Sequence, residues 1–231
     1  MYREGHFVSV VIPVFNEERT VGGIVARTRN TLEQMGLAYE ILVVDDGSVD
    51  RSAEISRARG ANVLSKPHQG KGCALRLGFR RARGDVIVTL DADGSHQPEE
   101  IPLILRGIME NNVDFVVGSR FFNADVHVQV PSVSRAGNRM FSSLVRRLTG
   151  VKISDSQSGF RAIRSSVLRK MQLRSRGYEV ESEMLIKALK MGARVAEIPV
   201  NFEQRTAGRS RLDPLRDGAR ILYRLIASYL F

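Results

Sequence analysis

Short apolar runs closed by polar residues alternate, through the first half of the chain, with stretches whose apolar positions recur every three or four residues. Phe7–Val14 is a β-rich run closing around Pro13 and predicts a buried strand. Val21, Ile24, Val25, Thr28, Leu32 and Met35 then fall at helical spacing, with Gly36 as the stop. Further strands are predicted at 40–44, 61–65, 86–90 and 115–118, and helices at 52–59, 71–82 and 98–111, the last opening on Pro98. Such alternation implies parallel βαβ units and a sheet covered on both faces. Ligands of these sheets bind beyond the carboxyl ends of the strands. Three polar clusters fall there: Asn16-Glu17, Asp45-Asp46 and Asp91-Ala92-Asp93.

The pattern changes after residue 119. Residues 120–132 read as a long loop, a length that compact domains keep for function or mobility. An amphipathic helix follows at 134–149, carrying Met140, Phe141, Leu144, Val145 and Leu148 beside Arg139, Arg146 and Arg147. A helix at 180–191, a strand at 194–200 and a basic loop at 204–211 come next. Leu215, Ala219, Leu222, Ile226 and Tyr229 mark a last helix over 213–230, with Arg216, Arg220 and Arg224 on another of its faces. Neither repeats nor an interdomain linker interrupt the 231 residues, which fit one large domain. No signal-peptide pattern precedes the first strand, and the early apolar run is far short of the ~20 residues of a spanning helix.

Charge narrows the partners. Lys and Arg number 35 against 25 Asp and Glu, a net charge of +10 that attracts anions. A nucleic-acid module is set aside, because aromatics are only 6% of residues, tryptophan is absent and no recognition signature is present. The acidic strand ends would also repel a polyanion. Phosphorylated substrates and a membrane surface remain. The single cysteine, Cys73, excludes an internal disulfide and reads as a packing residue.

The sharpest chemistry lies in Asp91-Ala92-Asp93, at the exit of the fourth predicted strand. Extended residues two apart point the same way, so both carboxylates face one point. Their repulsion calls for a cation, and Mg2+ typically takes one or two carboxylates and completes its shell with water and phosphate oxygens. Asp45-Asp46-Gly47-Ser48-Val49-Asp50 holds two acids suited to a base or ribose, with Asp50 capping the next helix. Gly70-Lys71-Gly72 opens a helix, which suits an anion. Arg120, Arg135, Arg205, Arg209 and Arg211 are the cations available to phosphates, the last three in a loop able to close over a ligand. His68 and His96 lack partners at metal-ligand spacing.

The order of these segments carries a resemblance. Val-Ile-Pro-Val-Phe-Asn-Glu at 11–17, Asp-Asp-Gly-Ser-Val-Asp at 45–50, Gly-Lys-Gly at 70–72, Asp-Ala-Asp-Gly-Ser-His at 91–96 and Gly-Ser-Arg-Phe at 118–121 together resemble the family 2 glycosyltransferases of GT-A fold. Within them the chain looks most like the dolichyl- or polyprenyl-phosphate mannose synthases. The resemblance implies an α/β fold of GT-A type: a Rossmann-like, mostly parallel sheet flanked by helices, with amphipathic helices in the C-terminal part. Residues 1–119 would be the nucleotide-sugar half and 120–231 the acceptor half of a single domain.

It also implies roles. Pro13, Phe15, Glu17, Val44 and Asp46 would line the nucleotide pocket with Asp45 close by. Lys71 and Ala92 would complete the donor site. Asp91 and Asp93 would hold Mg2+ or Mn2+ and the diphosphate, assisted by Ser95. Arg120, Arg205 and Arg211 would meet donor or acceptor phosphates, with Arg135 and Arg209 beside the acceptor. Phe15 stands where tyrosine is common and Arg211 where lysine is usual.

The implied reaction is inverting transfer of a hexose, mannose favoured, from GDP-mannose or alternatively UDP-glucose to dolichyl or polyprenyl phosphate. The enzyme would sit peripherally on the cytoplasmic face of a membrane, with a separate membrane-anchoring protein admitted as a partner. A rival acceptor, a saccharide hydroxyl, would need a base such as Glu179, Glu181 or Glu183.

Overall fold

The computed structural model describes all residues except 1–5, 111, 123–129, 131, 206 and 209–211. The calls on Arg209 and Arg211, and most of the long loop at 120–132, therefore lie outside the described residues. In chain order the elements are β1 (Phe7–Val14), α1 (Val21–Gln34), β2 (Ala38–Asp45), α2 (Ser52–Ala58), β3 (Asn62–Ser65), α3 (Lys71–Arg81) and β4 (Val86–Thr89). A 3-10 turn at Pro98–Glu100 leads into α4 (Ile101–Glu110), then β5 (Phe115–Ser119), α5 (Ser132–Thr149), β6 (Arg161–Arg164) and α6 (Ser165–Leu168). The chain ends with α7 (Val180–Lys190), β7 (Val195–Pro199) and α8 (Arg216–Leu230).

The strands form one seven-stranded sheet in the order β3-β2-β1-β4-β6-β5-β7. β1 to β4 run parallel, as the alternating pattern predicts. Side chains on β1 alternate between the two faces. Val8, Val10, Ile12 and Val14 join α1 and α4 in one apolar cluster, while Val11 joins residues of α3, α5, α7 and α8 in the other. Burying a side chain such as Ile12 contributes about 1.5–3 kcal/mol. Gly78 lets α3 lie close on the sheet, since a Cβ there would come within 2.4 Å of Val11 Cγ1.

β6 departs from the sequence reading. It inserts antiparallel between β4 and β5, so β5 does not follow β4 directly. Its four residues are too short, and too basic at both ends, to register as an apolar strand. Both arginines cap backbone instead of seeking water. Arg161, buried, donates to the carbonyls of Ser156, Ser158 and Glu181 at 2.6–2.8 Å. Arg164 donates to the carbonyls of Ile108 at 2.7 Å and Val113 at 3.1 Å, closing the end of α4.

Candidate active site

The exits of β1, β2 and β4 meet at one edge of the sheet. β1 pairs with β2 on one side and β4 on the other, so the chain switches direction across it, which is where open α/β sheets bind ligands. Asn16 turns the β1 exit with φ +57°, a left-handed conformation asparagine tolerates better than branched residues. Its side-chain amide Oδ1 accepts from Val49 N–H at 2.9 Å, and its backbone N–H donates to Ser48 Oγ at 2.9 Å. Asp50 accepts from Glu18 N–H and from Ser52 N–H and Oγ–H. The first two strand exits are thereby tied together.

Asp46 is fully engaged by its own fold. Its carboxylate accepts from Gln69 N–H at 3.0 Å and Gly70 N–H at 2.7 Å, pairs with Lys66, and lies 2.8 Å from His68 Nδ1. These bonds shape residues 66–70 and set Gly70 at φ +101°, where a Cβ would strike Arg176 O at 2.5 Å. α3 starts on the next residue, and Lys71 consequently points into the site. His68 also stacks on Phe15, with ring centroids 4.0 Å apart and planes 15° from parallel, giving the cleft a flat wall.

Asp91 meets Lys71 directly. Lys71 Nζ lies 2.7 Å from Asp91 Oδ1 and 2.8 Å from Glu181 Oε1. Burial works against the Asp91 carboxylate, but Lys71, with help from His96 and Arg120, outweighs it and holds the carboxyl below the usual range. Burial likewise opposes the Lys71 ammonium, and Asp91 and Glu181 overcome it, so its pKa is raised. Asp93 behaves in the opposite way. Burial and the nearby charge of Asp91 push its pKa up, despite the Ser95 N–H at 3.0 Å and Oγ–H at 2.6 Å on Oδ1.

The two acids converge, though not through strand geometry. β4 ends at Thr89 and residues 92–93 form a turn completed by Gly94 at φ +81°. The residues present fit a divalent cation. Two hard carboxylates share one partly buried corner, and one of them is penalised for its charge. Among the described residues no group of three His, Cys, Asp or Glu could hold an ion. A cation there would rely on Asp91, Asp93 and substrate oxygens, a sparse protein shell that suits Mg2+. Ser95 fixes Asp93 by donating its N–H and its hydroxyl to Oδ1. Gly159 makes room, because a Cβ there would fall 2.5 Å from Asp91 Oδ2.

Other expected residues sit elsewhere. Val44 is buried within the sheet, and Asp45 turns its Oδ1 to Ser48 N–H at 3.0 Å. Arg120 does not reach the cleft. Its guanidinium makes a two-pronged clamp on Asp155 at 2.6 and 2.8 Å, with Phe202 at 5.0 Å, and its charge acts on Asp91 only through space. Arg135 is exposed on α5, 5.9 Å from the Phe121 ring centre. Arg205 bonds Glu17 and places Nη1 3.6 Å from Asp93 Oδ2.

His96 is buried between Phe160 and Phe202, with no hydrogen-bond partner among the described residues on either ring nitrogen. Burial lowers its pKa to about 4. A folded value below the unfolded one of about 6.5 means the unfolded chain takes up the proton first. Stability is therefore full above about pH 6.5 and falls towards pH 4. His96→Leu is expected to flatten this acid limb of a melting-temperature profile, removing up to about 3 kcal/mol of pH dependence.

A cleft of about 900 Å³ joins these parts. Pro13, Phe15, Glu17, Asp46, Lys71, Asp91, Ala92, Asp93 and Arg205 line it, all expected from sequence. Tyr178, Glu179, Arg174, Arg176 and the α8 residues Arg216, Arg220, Tyr223 and Arg224 line it as well. None of these was assigned to the donor site from sequence, and only the four-residue spacing of the α8 arginines signalled a common face.

Comparison with known proteins agrees with this geometry. The family described as Glycosyl transferase family 2 matches residues 9–172. An undecaprenyl-phosphate 4-deoxy-4-formamido-L-arabinose transferase of Edwardsiella ictaluri is 37% identical over 212 residues, covering 89% of this chain but 62% of its own length. An undecaprenyl-phosphate mannosyltransferase of Micrococcus luteus is 32% identical, covering 89% of this chain and 87% of its own. Among solved structures, glucosyl-3-phosphoglycerate synthase from Mycobacterium tuberculosis in complex with Mn2+, uridine-diphosphate-glucose and phosphoglyceric acid superposes with a TM-score of 0.78. It is 23% identical over 98% of this chain and 81% of that one.

Proposed function

The chain belongs to glycosyl transferase family 2, and from that premise we propose that it transfers a hexose, mannose foremost, from a nucleotide sugar to a polyprenyl or dolichyl phosphate. The observation that carries this reading is the pair Asp91 and Asp93 on the floor of a cleft with a flat aromatic wall on one side and arginines on the other. The sugar-transferring relatives named on undecaprenyl phosphate support the acceptor class.

The nucleotide would lie against Pro13, Phe15 and His68. Its diphosphate would lead to Asp91 and Asp93, which would hold Mg2+ or Mn2+ together with Lys71 and Arg205 around the phosphates. That cation would act as a Lewis acid, easing departure of the nucleoside diphosphate. Lys71 holds Asp91 ionised, and Ser95 aims Asp93. A phosphomonoester, with a second pKa near 6, is already anionic at neutral pH and needs no base. Attack from the face opposite the leaving group would invert the anomeric carbon.

No helix among the described residues is long and apolar enough to cross a membrane. The outer faces of α5 and α8 carry exposed Val133, Met140, Leu222, Ile226 and Leu230, interspersed with arginines. Such faces suit a peripheral position in a lipid interface, here on the cytoplasmic side, where nucleotide sugars would reach the cleft; a membrane-anchoring partner is compatible with this placement.

A saccharide hydroxyl acceptor is the second reading, favoured by one observation. Glu179 lines the cleft with Oε1 bonded to Arg176 and Gly177 N–H, while its buried Oε2 has no partner among the described residues. Glu181 and Glu183 are less suited, being placed on Lys71 and on the N–H groups of Arg174 and Ser175. The test is a panel of GDP-mannose, UDP-glucose and other UDP-sugars with Mn2+ or Mg2+, offered polyprenyl phosphate or a free saccharide. Lipid-linked mannose as the main product, with Glu179→Gln retaining turnover, is expected. Product on saccharide alone, lost in Glu179→Gln, would overturn the phosphate acceptor.

A further inference from the structure

Glu179, Glu181 and Glu183 stand together at the start of α7, and two of them are engaged by backbone. Glu179 Oε1 accepts from Arg176 and Gly177 N–H, and Glu183 accepts from Arg174 and Ser175 N–H and pairs with Lys187. Both therefore shape the segment that leads into the helix. Glu181 does not. Its carboxylate is buried, and apart from Lys71 Nζ, 2.8 Å from Oε1, neither oxygen has a hydrogen-bond partner among the described residues.

The chain around this contact is braced on both sides. Gly72 lets the start of α3 lie against the segment before α7, since a Cβ there would fall 2.6 Å from Ser175 O. Cys73 N–H donates to Arg176 O at 3.3 Å across the same seam. From the other side, buried Arg161 donates to the carbonyl of Glu181 at 2.6 Å, and Gln157 donates to Ser182 Oγ at 2.7 Å. The lysine and the glutamate are thus held facing each other by the backbones that carry them.

Neutrality does not explain the contact. Asp91 alone would balance Lys71. With Glu181 the corner holds Asp91, Asp93 and Glu181 against Lys71, while Arg205 is bonded to Glu17 and stays 3.6 Å from Asp93. A buried carboxylate beyond what neutrality needs is costly unless a cation uses it. An ammonium has three N–H donors, and here it divides them between two acids.

We propose that Glu181 is a positioning residue: it retains Lys71 in the corner once Asp91 turns its oxygens to a divalent cation, and leaves the other donors of the lysine to a phosphate oxygen of the nucleotide sugar. This role rests on the cation reading of Asp91 and Asp93 above and holds for either acceptor. Without the cation, Lys71 spans both acids. With it, Lys71 gives up one partner and keeps the other. In the absence of Glu181 the same exchange would release the lysine from the corner.

The reactivity of Lys71 towards an amine-acetylating reagent, read by peptide mass spectrometry against exposed Lys170, follows the lysine itself. Wild type, Glu181→Gln and the charge-keeping Glu181→Asp are labelled in chelator and in saturating Mn2+, without donor or acceptor. Wild-type Lys71 should label slowly in both conditions. In Glu181→Gln it should label slowly in chelator, where Asp91 holds it, and about tenfold faster with Mn2+, reflecting one lost charge-assisted bond. Glu181→Asp should return most of the protection, and melting temperatures taken alongside should show all three proteins folded. If Glu181 only braced the fold, labelling in Glu181→Gln would rise equally with and without Mn2+, which would overturn the role. Wild-type Lys71 that is itself exposed by Mn2+ would overturn it as well, whatever the variants do. Calorimetric uptake of Mn2+ separates the two layers. Folded wild type that takes up no Mn2+ would remove the cation reading and this role with it, whereas uptake with unchanged Lys71 labelling in Glu181→Gln would remove the role alone.

Discussion

Asp93→Asn is expected to reduce sugar transfer by about a thousandfold or more while leaving the protein folded. The loss follows from removing one of two carboxylates available to a cation at the leaving group, an electrostatic contribution of several kcal/mol. The fold should survive, because asparagine keeps an oxygen for Ser95 N–H and Oγ–H. The charge itself adds nothing to stability. Burial and Asp91 raise the Asp93 pKa in the native state. A carboxyl raised in this way binds its proton more readily folded than unfolded. Its ionised form at neutral pH therefore works against folding, and that penalty lifts as pH falls through the raised value. Without metal, Asp93→Asn should melt no lower than wild type. With Mn2+, wild type should gain stability as ligand linkage requires, and the variant should gain little. Thermal melts across a Mn2+ series, set beside single-turnover rates, check both halves.

Lys71→Met should destabilise the protein by about 3 kcal/mol, because it strands the buried Glu181 and the partly buried Asp91 without a counter-charge. Lys71 sits within 2.8 Å of both Asp91 and Glu181. The pH behaviour follows from the directions of the shifts. Asp91 is held low, so its contribution is complete above the ordinary aspartate range and fades as pH drops below it. Lys71 is held high, so its contribution persists through neutral pH and is lost only on the alkaline side. In Lys71→Met both contributions go together, and the acid limb should shift upward in pH. Urea unfolding with and without Mn2+ is the measurement. The cation should restore more stability to the variant than it adds to wild type, since in wild type it competes with Lys71 for Asp91. Equal gains in both proteins would show that Lys71 and the cation do not share a partner.

Much of this corner is legible from sequence for a simple reason. The strands leading to Asn16, Asp45 and Asp91 are parallel, apolar and short, so their polar exits have only one edge of the sheet to occupy. Asp91 and Lys71 meet because helix α3 begins immediately after Gly70, a start visible as Gly-Lys-Gly. What is not legible depends on distant chain. Asp91 and Asp93 converge through a turn at Gly94, not through the two-residue period of a strand. Arg120 reads as a free cation until Asp155, 35 residues away, is seen to clamp it. β6 hides because its arginines are satisfied by carbonyls of α4 and of the segments flanking it. The α8 arginines show their common spacing in sequence, but only packing of Ile221 and Leu225 on the second apolar cluster turns them towards the cleft.

The central claim is that Asp91 and Asp93 engage a nucleotide sugar through a divalent cation. Isothermal calorimetry of the full chain with GDP-mannose and with UDP-glucose, each with and without Mn2+, tests it most directly. Uptake of one donor at least about tenfold tighter with Mn2+ than without, and loss of that difference in Asp93→Asn, is the predicted result. Folded protein that takes up neither donor, or binds one equally well in a chelator, would contradict it.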